Sequence, residues 1–145
     1  MKKVSKSSKK GFTLVELIVV LIILAILAAM LVPALTGYIR RARQEKDYQF
    51  AATVLTAAQS AATYQYSLPT TNGSPKRITG NITQSTPAGG NSSETVATLV
   101  GVTSGTTWTC SFQHNDDWVI TQGDVVINGS TYHWSGTAWT VTGEG

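Results

Sequence analysis

The N-terminal part of the chain contains an apolar run that is long enough to cross a membrane. Residues 12–32, FTLVELIVVLIILAILAAMLV, hold a single charged side chain, Glu16. As an α-helix this run extends about 31 Å, close to the ~30 Å hydrocarbon core of a bilayer. The pattern therefore predicts a transmembrane helix over residues 12–32.

The helical pattern continues past this apolar run. Apolar side chains recur every three or four residues, and neither Gly nor Pro occurs between Tyr38 and Leu68. We expect one helix from about Phe12 to about Tyr66, kinked or locally unwound at Pro33, which lacks a backbone N–H. One face of its C-terminal half is apolar enough to be covered by other elements: Ala51, Val54, Leu55, Ala58 and Ala62.

The rest of the chain changes from loop to strand composition. Residues 68–105 are rich in Pro, Gly and Asn and predict a surface loop, with a short helix from Ser93 to Val100 capped by Ser92 or Ser93. Asn128-Gly129 favours a tight hairpin. The predicted strands are Thr106–Phe112, Trp118–Thr121, Asp124–Ile127, Ser130–Trp134 and Thr137–Val141. The predicted fold class is α+β, with a long N-terminal helix packed on a small C-terminal antiparallel sheet.

The positive charge of the chain is concentrated at its N-terminus. Five of the eleven basic residues precede Gly11, and without them six basic residues stand against eight acids, a net charge of about −2. The leader lysines predict that the N-terminus stays in the cytoplasm. The basic pI of 9.1 therefore does not indicate nucleic-acid binding.

No enzyme or cofactor site is predicted. Cys110 is the single cysteine, so a disulfide within the chain is excluded, and we expect a small buried side chain. The two histidines, His114 and His133, form no recognisable catalytic pattern with it. The sequence contains no phosphate loop, metal cluster or nucleophile triad.

The stretch KKGFTLVELIVVLIILAI resembles the N-terminus of a type IV prepilin, the class-III signal that type IV pilins share with pseudopilins of type II secretion. The matching features are the short basic leader, Gly11, Phe12, Glu16, and Pro33 after the apolar run. The resemblance is specific over roughly residues 9–40 and concerns only architecture downstream. It implies a cleaved leader at 1–11, a long helix at 12–67, a variable loop at 68–105 and a sheet at 106–145.

The resemblance also implies partners and processing. A prepilin peptidase would cut between Gly11 and Phe12 and methylate the new amine of Phe12. The subunit would wait in the membrane as a single-pass protein, and a membrane assembly machinery would then stack copies into a helical filament outside the cell. In that filament Glu16 would pair with the Phe12 amine of a neighbouring copy and set the register, and Pro33 would mark the kink.

A physical argument supports this role for Glu16. A helix that leaves the bilayer for a fibre core cannot carry five buried lysines, and the predicted cut leaves one amine, four residues from Glu16. Buried ion pairs contribute little net stability, so we assign the pair to register rather than to strength. The alternative is that Glu16 is a tolerated charge near the lipid headgroups.

The sequence leaves other functions open. VPA, ending at Ala34, would suit an ordinary secretory signal peptidase and give a mature chain that begins at Leu35. Within the resembled family, a structural pilus subunit for adhesion, motility or surface colonisation comes first. A competence pilin for DNA uptake and a type II pseudopilin are the alternatives.

Two residue sets weigh against these alternatives. Lys76 and Arg77 are the only basic residues after Lys46, which disfavours nucleic acid as a partner. The calcium site of major pseudopilins would need clustered acids, whereas Asp116, Asp117, Asp124 and Glu144 lack ligand spacing. Major pilins of Gram-negative bacteria usually have a C-terminal disulfide. This chain has one cysteine and cannot form it, and in this it resembles the Gram-positive members of the family.

Overall fold

A computed structural model of the protein describes residues 11–69, 77–91, 93–101 and 105–143. The elements are helices α1 (Leu14–Ser67) and α2 (Val96–Val100), and strands β1 (Ile82–Thr83), β2 (Trp108–His114), β3 (Ile120–Ile127), β4 (Ser130–Trp134) and β5 (Trp139–Thr142). The strands form one antiparallel sheet in the order β1-β2-β3-β4-β5. This layout confirms the predicted α+β class, a long apolar N-terminal helix followed by a small antiparallel sheet.

The chain divides into two compact units, one ending at Arg43 and the other beginning at Gln44. Helix α1 contributes to both. In the first unit it is the one described element, and every described residue up to Arg43 is exposed. The second unit has a hydrophobic core between the C-terminal part of α1 and the sheet.

That core confirms the predicted apolar face of α1. All five residues expected on the face are buried, and the other buried residues of α1 are Ala57, Ala61 and Gln65. Opposite the helix, one row of register partners crosses the sheet from Cys110 through Val125 and Tyr132 to Val141. The first three of these side chains are buried. Alanines dominate the helix side, and small side chains allow a helix to approach a sheet closely.

Strand β3 differs from the prediction. The segments Trp118–Thr121 and Asp124–Ile127, expected as separate strands, belong to one strand from Ile120 to Ile127, and Trp118 lies in the preceding turn with φ of 60°. Gly123 looks like a break in the sequence but lies inside the strand, opposite Phe112. A Cβ at Gly123 would come within 2.7 Å of the Phe112 Cα, so the glycine provides space for packing and does not end the strand.

The hairpin between β3 and β4 agrees with the prediction from Asn128-Gly129. Asn128 has φ of 50° and Gly129 has φ of 92°, the pair of positive values that a tight type I′ turn requires. The Asn128 side chain also accepts a hydrogen bond from the Thr107 N–H at 3.2 Å. The turn therefore fixes the β3–β4 register and also holds the chain that enters β2.

The segment expected as a variable loop contains structure that the sequence did not predict. Strand β1 pairs with Phe112 and Ser111 of β2. The N-cap of α2 is Thr95, not Ser92 or Ser93, because Thr95 and Thr98 form a reciprocal capping box. The predicted helix start at Ser93 is therefore wrong by three residues, and Ser92 lies outside the described residues.

Buried Gln65 anchors this segment to α1. Its Nε2 donates to the Pro87 carbonyl at 3.0 Å, and its Oε1 accepts from the Ile78 N–H at 3.0 Å. Both ends of the amide are thus satisfied, as burial of a polar group requires. Two distant parts of the loop are held against the helix by a single side chain.

Candidate processing and assembly segment

Gly11 and Phe12 lie just before the first helix, in backbone that is neither helix nor strand. The Phe12 side chain is 85% exposed, and a Cβ placed on Gly11 would meet no atom within 4 Å. The side-chain positions on both sides of this peptide bond are therefore exposed. The predicted cleavage between these two residues stays a prediction.

Thr13 and Glu16 form a capping box at the start of α1. The Thr13 N–H donates to Glu16 Oε2 at 3.1 Å, and the Glu16 N–H donates to Thr13 Oγ1 at 3.3 Å. Each side chain satisfies one backbone donor that the first turn of a helix leaves without a partner. The carboxylate also lies at the helix N-terminus, where the helix dipole favours negative charge.

This capping role of Glu16 was not predicted from the sequence. Glu16 was predicted to be a partner of the Phe12 amine or a tolerated charge near the lipid headgroups, although the spacing T-x-x-E before an apolar run is the signature of a capping box. In the uncut chain Glu16 therefore has a local partner in Thr13, the residue next to Phe12. The predicted pairing with an amine of a neighbouring copy remains a prediction.

The apolar half of α1 buries none of its side chains. An 18-residue window within the helix has a mean hydropathy of 3.2 and contains no buried residue. By length and composition this is one helix able to cross a membrane, located near the N-terminus. Exposed apolar area of this extent needs lipid or another protein surface to cover it.

Pro33 lies inside α1, and the helix assignment continues through it without a break. The Thr36 hydroxyl donates to the Pro33 carbonyl at 2.9 Å. The proline ring removes one donor from the helical ladder, so this turn has one hydrogen bond fewer than its neighbours. Because the helix is continuous there, the predicted local unwinding at Pro33 is not seen, and the alternative of a kink there stays a prediction.

Comparison with known proteins identifies the same segment. The family model of the prokaryotic N-terminal methylation motif matches residues 6–32, which is 27 of the 145 residues. The chain therefore carries the class-III signal of type IV pilins and pseudopilins. This motif indicates a structural class of protein and not an enzyme family, and it implies processing by a prepilin peptidase and assembly at the membrane. With the apolar helix, it fits a membrane-anchored precursor.

No curated protein and no solved structure matches the chain. The second unit, from Gln44 onward, must therefore be interpreted from its own geometry.

One row on the outer face of the sheet contains residue types that occur in hydrolases. Ser111, Asp124 and His133 are register partners on three adjacent strands. Asp124 lies in the middle, with its Oδ1 2.7 Å from His133 Nδ1, and the Ser111 Oγ accepts a hydrogen bond from Asn81 Nδ2 at 2.9 Å. A nucleophilic serine needs the histidine between itself and the acid. The observed order does not provide that arrangement.

Cys110 is buried, and His114, the other histidine, is held by contacts with neighbouring loops. Burial raises the pKa of the Cys110 thiol to about 12, so the reactive thiolate is disfavoured. Both ring nitrogens of His114 lie near carbonyl oxygens, Nδ1 at 2.8 Å from Asn115 and Nε2 at 3.1 Å from Gly80. The ring also stacks on Trp118 with a centroid distance of 4.0 Å. His114 thus connects two loops and borders a shallow open pocket of about 260 Å³.

Arg77 has a structural role at the end of α1. Its Nε donates to the Leu68 carbonyl at 2.9 Å, and a second guanidinium nitrogen donates to the Tyr66 carbonyl. The guanidinium lies 5.5 Å from the centroid of the Tyr66 ring. A cation at a helix C-terminus satisfies carbonyls that lack intrahelical donors. Arg77 is therefore already engaged and offers little to a phosphate.

The acids considered for calcium lie apart in the fold. Asp124 is in the middle of β3 with His133, whereas Asp116 and Asp117 lie in the turn between β2 and β3. Across the described ranges, no group of three His, Cys, Asp or Glu side chains could hold a metal ion. Glu144 lies outside the described residues.

The four tryptophans pack in or against the core. Trp118 is buried, and the other three are partly buried. Trp108 meets Phe50 of α1 edge to face at 5.6 Å, and Trp134 lies 5.3 Å from Trp139. The aromatic side chains therefore join the helix to the sheet and the sheet to its last strand.

Proposed function

We propose that the chain is the structural subunit of a type IV pilus, made as a prepilin and used for adhesion, motility or surface colonisation. A prepilin peptidase cuts between Gly11 and Phe12 and methylates the amine of Phe12. The mature subunit stays in the membrane through residues 12–32 until copies assemble into a helical filament on the cell surface.

One observation carries this proposal: a single helix has two halves with opposite burial. The half before Arg43 has no buried residue, while the half after it supplies eight buried residues to a finished core. An apolar surface of this length cannot stay in water. Lipid covers it in the precursor, and the same faces of other copies cover it in a filament.

Removal of the leader makes this transfer physically possible. The uncut chain carries five lysines before Gly11, and each would lose its hydration in a fibre core. The cut leaves one amine at Phe12 and one carboxylate at Glu16. Because those two charges are opposite, a fibre can bury them as a pair and use them to set the axial step between copies.

The alternatives from the same class are a competence pilin and a pseudopilin. Arg77 is engaged with the carbonyls at the end of α1, so the described part of the second unit offers few free cations for DNA. Asp124 pairs with His133 and is separated along the chain from the acids of the β2–β3 turn, which does not favour a calcium-stabilised pseudopilin. We therefore rank the competence pilin and the pseudopilin below the pilus subunit as candidate functions.

Electron microscopy of sheared surface fibres tests the proposal. The producing cells should release thin filaments, and mass spectrometry of purified filaments should find this chain as their main protein. Deletion of its gene should remove the filaments, and expression from a plasmid should restore them. Filaments unchanged by the deletion would contradict the assignment.

A further inference from the structure

Three arginines follow the apolar part of α1 within four positions, Arg40, Arg41 and Arg43. All three side chains are exposed. Among the described residues, Arg41 and Arg43 have no side-chain partner, whereas Arg40 does interact. These three residues form a basic collar at the end of the first unit.

The position of the collar matches a headgroup layer. The mostly apolar part of α1, Leu14–Leu35, is about 33 Å long, slightly longer than the hydrocarbon core of a bilayer. If this segment is centred in the bilayer, residue 40 lies roughly 8 Å beyond the hydrocarbon edge. Helical side chains lean toward the helix N-terminus, and arginines extend their charge to the interface. The guanidinium groups of Arg41 and Arg43, which have no other side-chain partner in the described part of the chain, can therefore reach back to the headgroups, next to Tyr38, which is 72% exposed.

The charge of the neighbouring sequence favours a specific partner for the collar. Residues 44–145 contain three basic and seven acidic residues, a net charge of about −4. An anionic surface therefore repels the second unit and attracts the collar. Guanidinium groups bind phosphate oxygens through two parallel hydrogen bonds, and a net negative headgroup adds an attraction that a zwitterionic headgroup lacks, so anionic phospholipids fit the collar best.

We propose that the basic collar binds anionic phospholipid headgroups of the leaflet on the side of residues 44–145. This inference rests on the proposed function for the orientation of the precursor. Before cleavage, leader lysines hold one leaflet and the collar holds the other. After cleavage only the collar remains, so inward movement buries arginines in hydrocarbon, while outward movement only releases headgroups. The collar thus keeps the mature subunit from sinking and leaves its exit toward the filament open.

Spin-labelled lipids in asymmetric vesicles test the collar. The full chain is reconstituted with phosphatidylglycerol confined to the leaflet that faces residues 44–145, with the orientation checked by protease accessibility. Spin-labelled phosphatidylglycerol should associate with the native chain about two- to fivefold more strongly than spin-labelled phosphatidylcholine, and added salt should reduce that preference. The triple variant Arg40→Gln, Arg41→Gln, Arg43→Gln should lose the preference, and the matched triple Lys variant should keep most of it.

Two results would overturn the inference: no lipid preference in the native chain, or an unchanged preference in the triple Gln variant. The second would show that the collar serves another partner, such as acids of a neighbouring copy. The N-terminal residue of the protein isolated from cells tests the proposed function independently of the lipid measurement. If the native chain shows no lipid preference but begins at Phe12 in cells, only the collar is refuted. If the native chain shows the preference but keeps its leader in cells, only the pilin assignment is refuted.

Discussion

The Tyr132 hydroxyl donates a hydrogen bond to the Asp47 carboxylate at 3.1 Å and joins strand β4 to helix α1 across 85 positions of sequence. Tyr132 is 1% exposed, and its ring meets Tyr48 edge to face at 5.1 Å. The bond lies at the start of the packed half of α1, four residues after the unit boundary at Arg43. It fixes the point at which the helix joins the core.

Tyr132→Phe should lower the free energy of unfolding of the second unit by about 1–2 kcal/mol, because the charged acceptor Asp47 loses its buried donor. Chemical denaturation of the full chain in detergent measures this, followed by tryptophan fluorescence, since all four tryptophans lie in the second unit. Tyr38→Phe on the exposed helix is the control and should change nothing. A stability within 0.3 kcal/mol of wild type for Tyr132→Phe would show that the bond is not used.

The stability of the second unit should decrease at alkaline pH. Burial raises the pKa of Cys110 from 9.0 to about 12, and burial with the Asp47 hydrogen bond raises the pKa of Tyr132 from 10.0 to about 12. The unfolded chain loses these protons at lower pH than the folded chain does. The stabilisation is therefore complete below pH 9 and is lost as the pH rises toward 12, by up to about 1.4 kcal/mol per pH unit for each group.

The variant Cys110→Ala isolates the contribution of the thiol. Denaturation midpoints measured from pH 7 to 10.5 should fall less steeply above pH 9 in this variant than in wild type. Equal slopes would show that the thiol does not contribute to the alkaline loss.

Gly123→Ala should destabilise the sheet although it adds only one methyl group. The new Cβ would lie 2.6 Å from the Ser111 carbonyl oxygen and 2.7 Å from the Phe112 Cα, and backbone atoms yield little. We expect a loss of roughly 1–3 kcal/mol in unfolding free energy. Gly90→Ala is the matched control, because a Cβ there meets nothing within 4 Å. Similar stabilities for the two variants would show that the strand can adjust.

Gly123 also shows why part of this fold could not be predicted from the sequence. Helix α1 and the Asn128-Gly129 hairpin were predictable because their signals are local, namely spacing in the helix and a dipeptide in the turn. Gly123 was misread as a strand end, since its reason lies on another strand, at Phe112. Strand β1 and the two contacts of Gln65 were not predicted for the same reason, because their partners are distant in sequence. The roles assigned to Gly11, Phe12 and Glu16 stay predictions, and the cap formed by Thr13 was missed although its T-x-x-E spacing was visible in the sequence.

The two partners of Glu16 can be separated by mutation. Gln keeps an oxygen that can accept from the Thr13 N–H but carries no charge. Glu16→Gln should therefore preserve the cap, the cleavage and the membrane insertion, and should abolish filaments, as Glu16→Ala should. Thr13→Ala should weaken the helix start by about 0.5–2 kcal/mol and still allow filaments, because the charge remains. The measurements are filament counts by electron microscopy and cleavage by mass spectrometry in the same cells.

Normal filaments from Glu16→Gln would refute the register role of the charge. Loss of filaments in Thr13→Ala with intact cleavage would move that role to the cap.

The mass of the mature N-terminus tests the central claim most directly. The protein is isolated from the cell envelope of its producer, and its N-terminal peptide is sequenced by tandem mass spectrometry. The account predicts a chain that begins at Phe12 with one methyl group on its amine. A chain that begins at Leu35, or one that retains its leader, would contradict it.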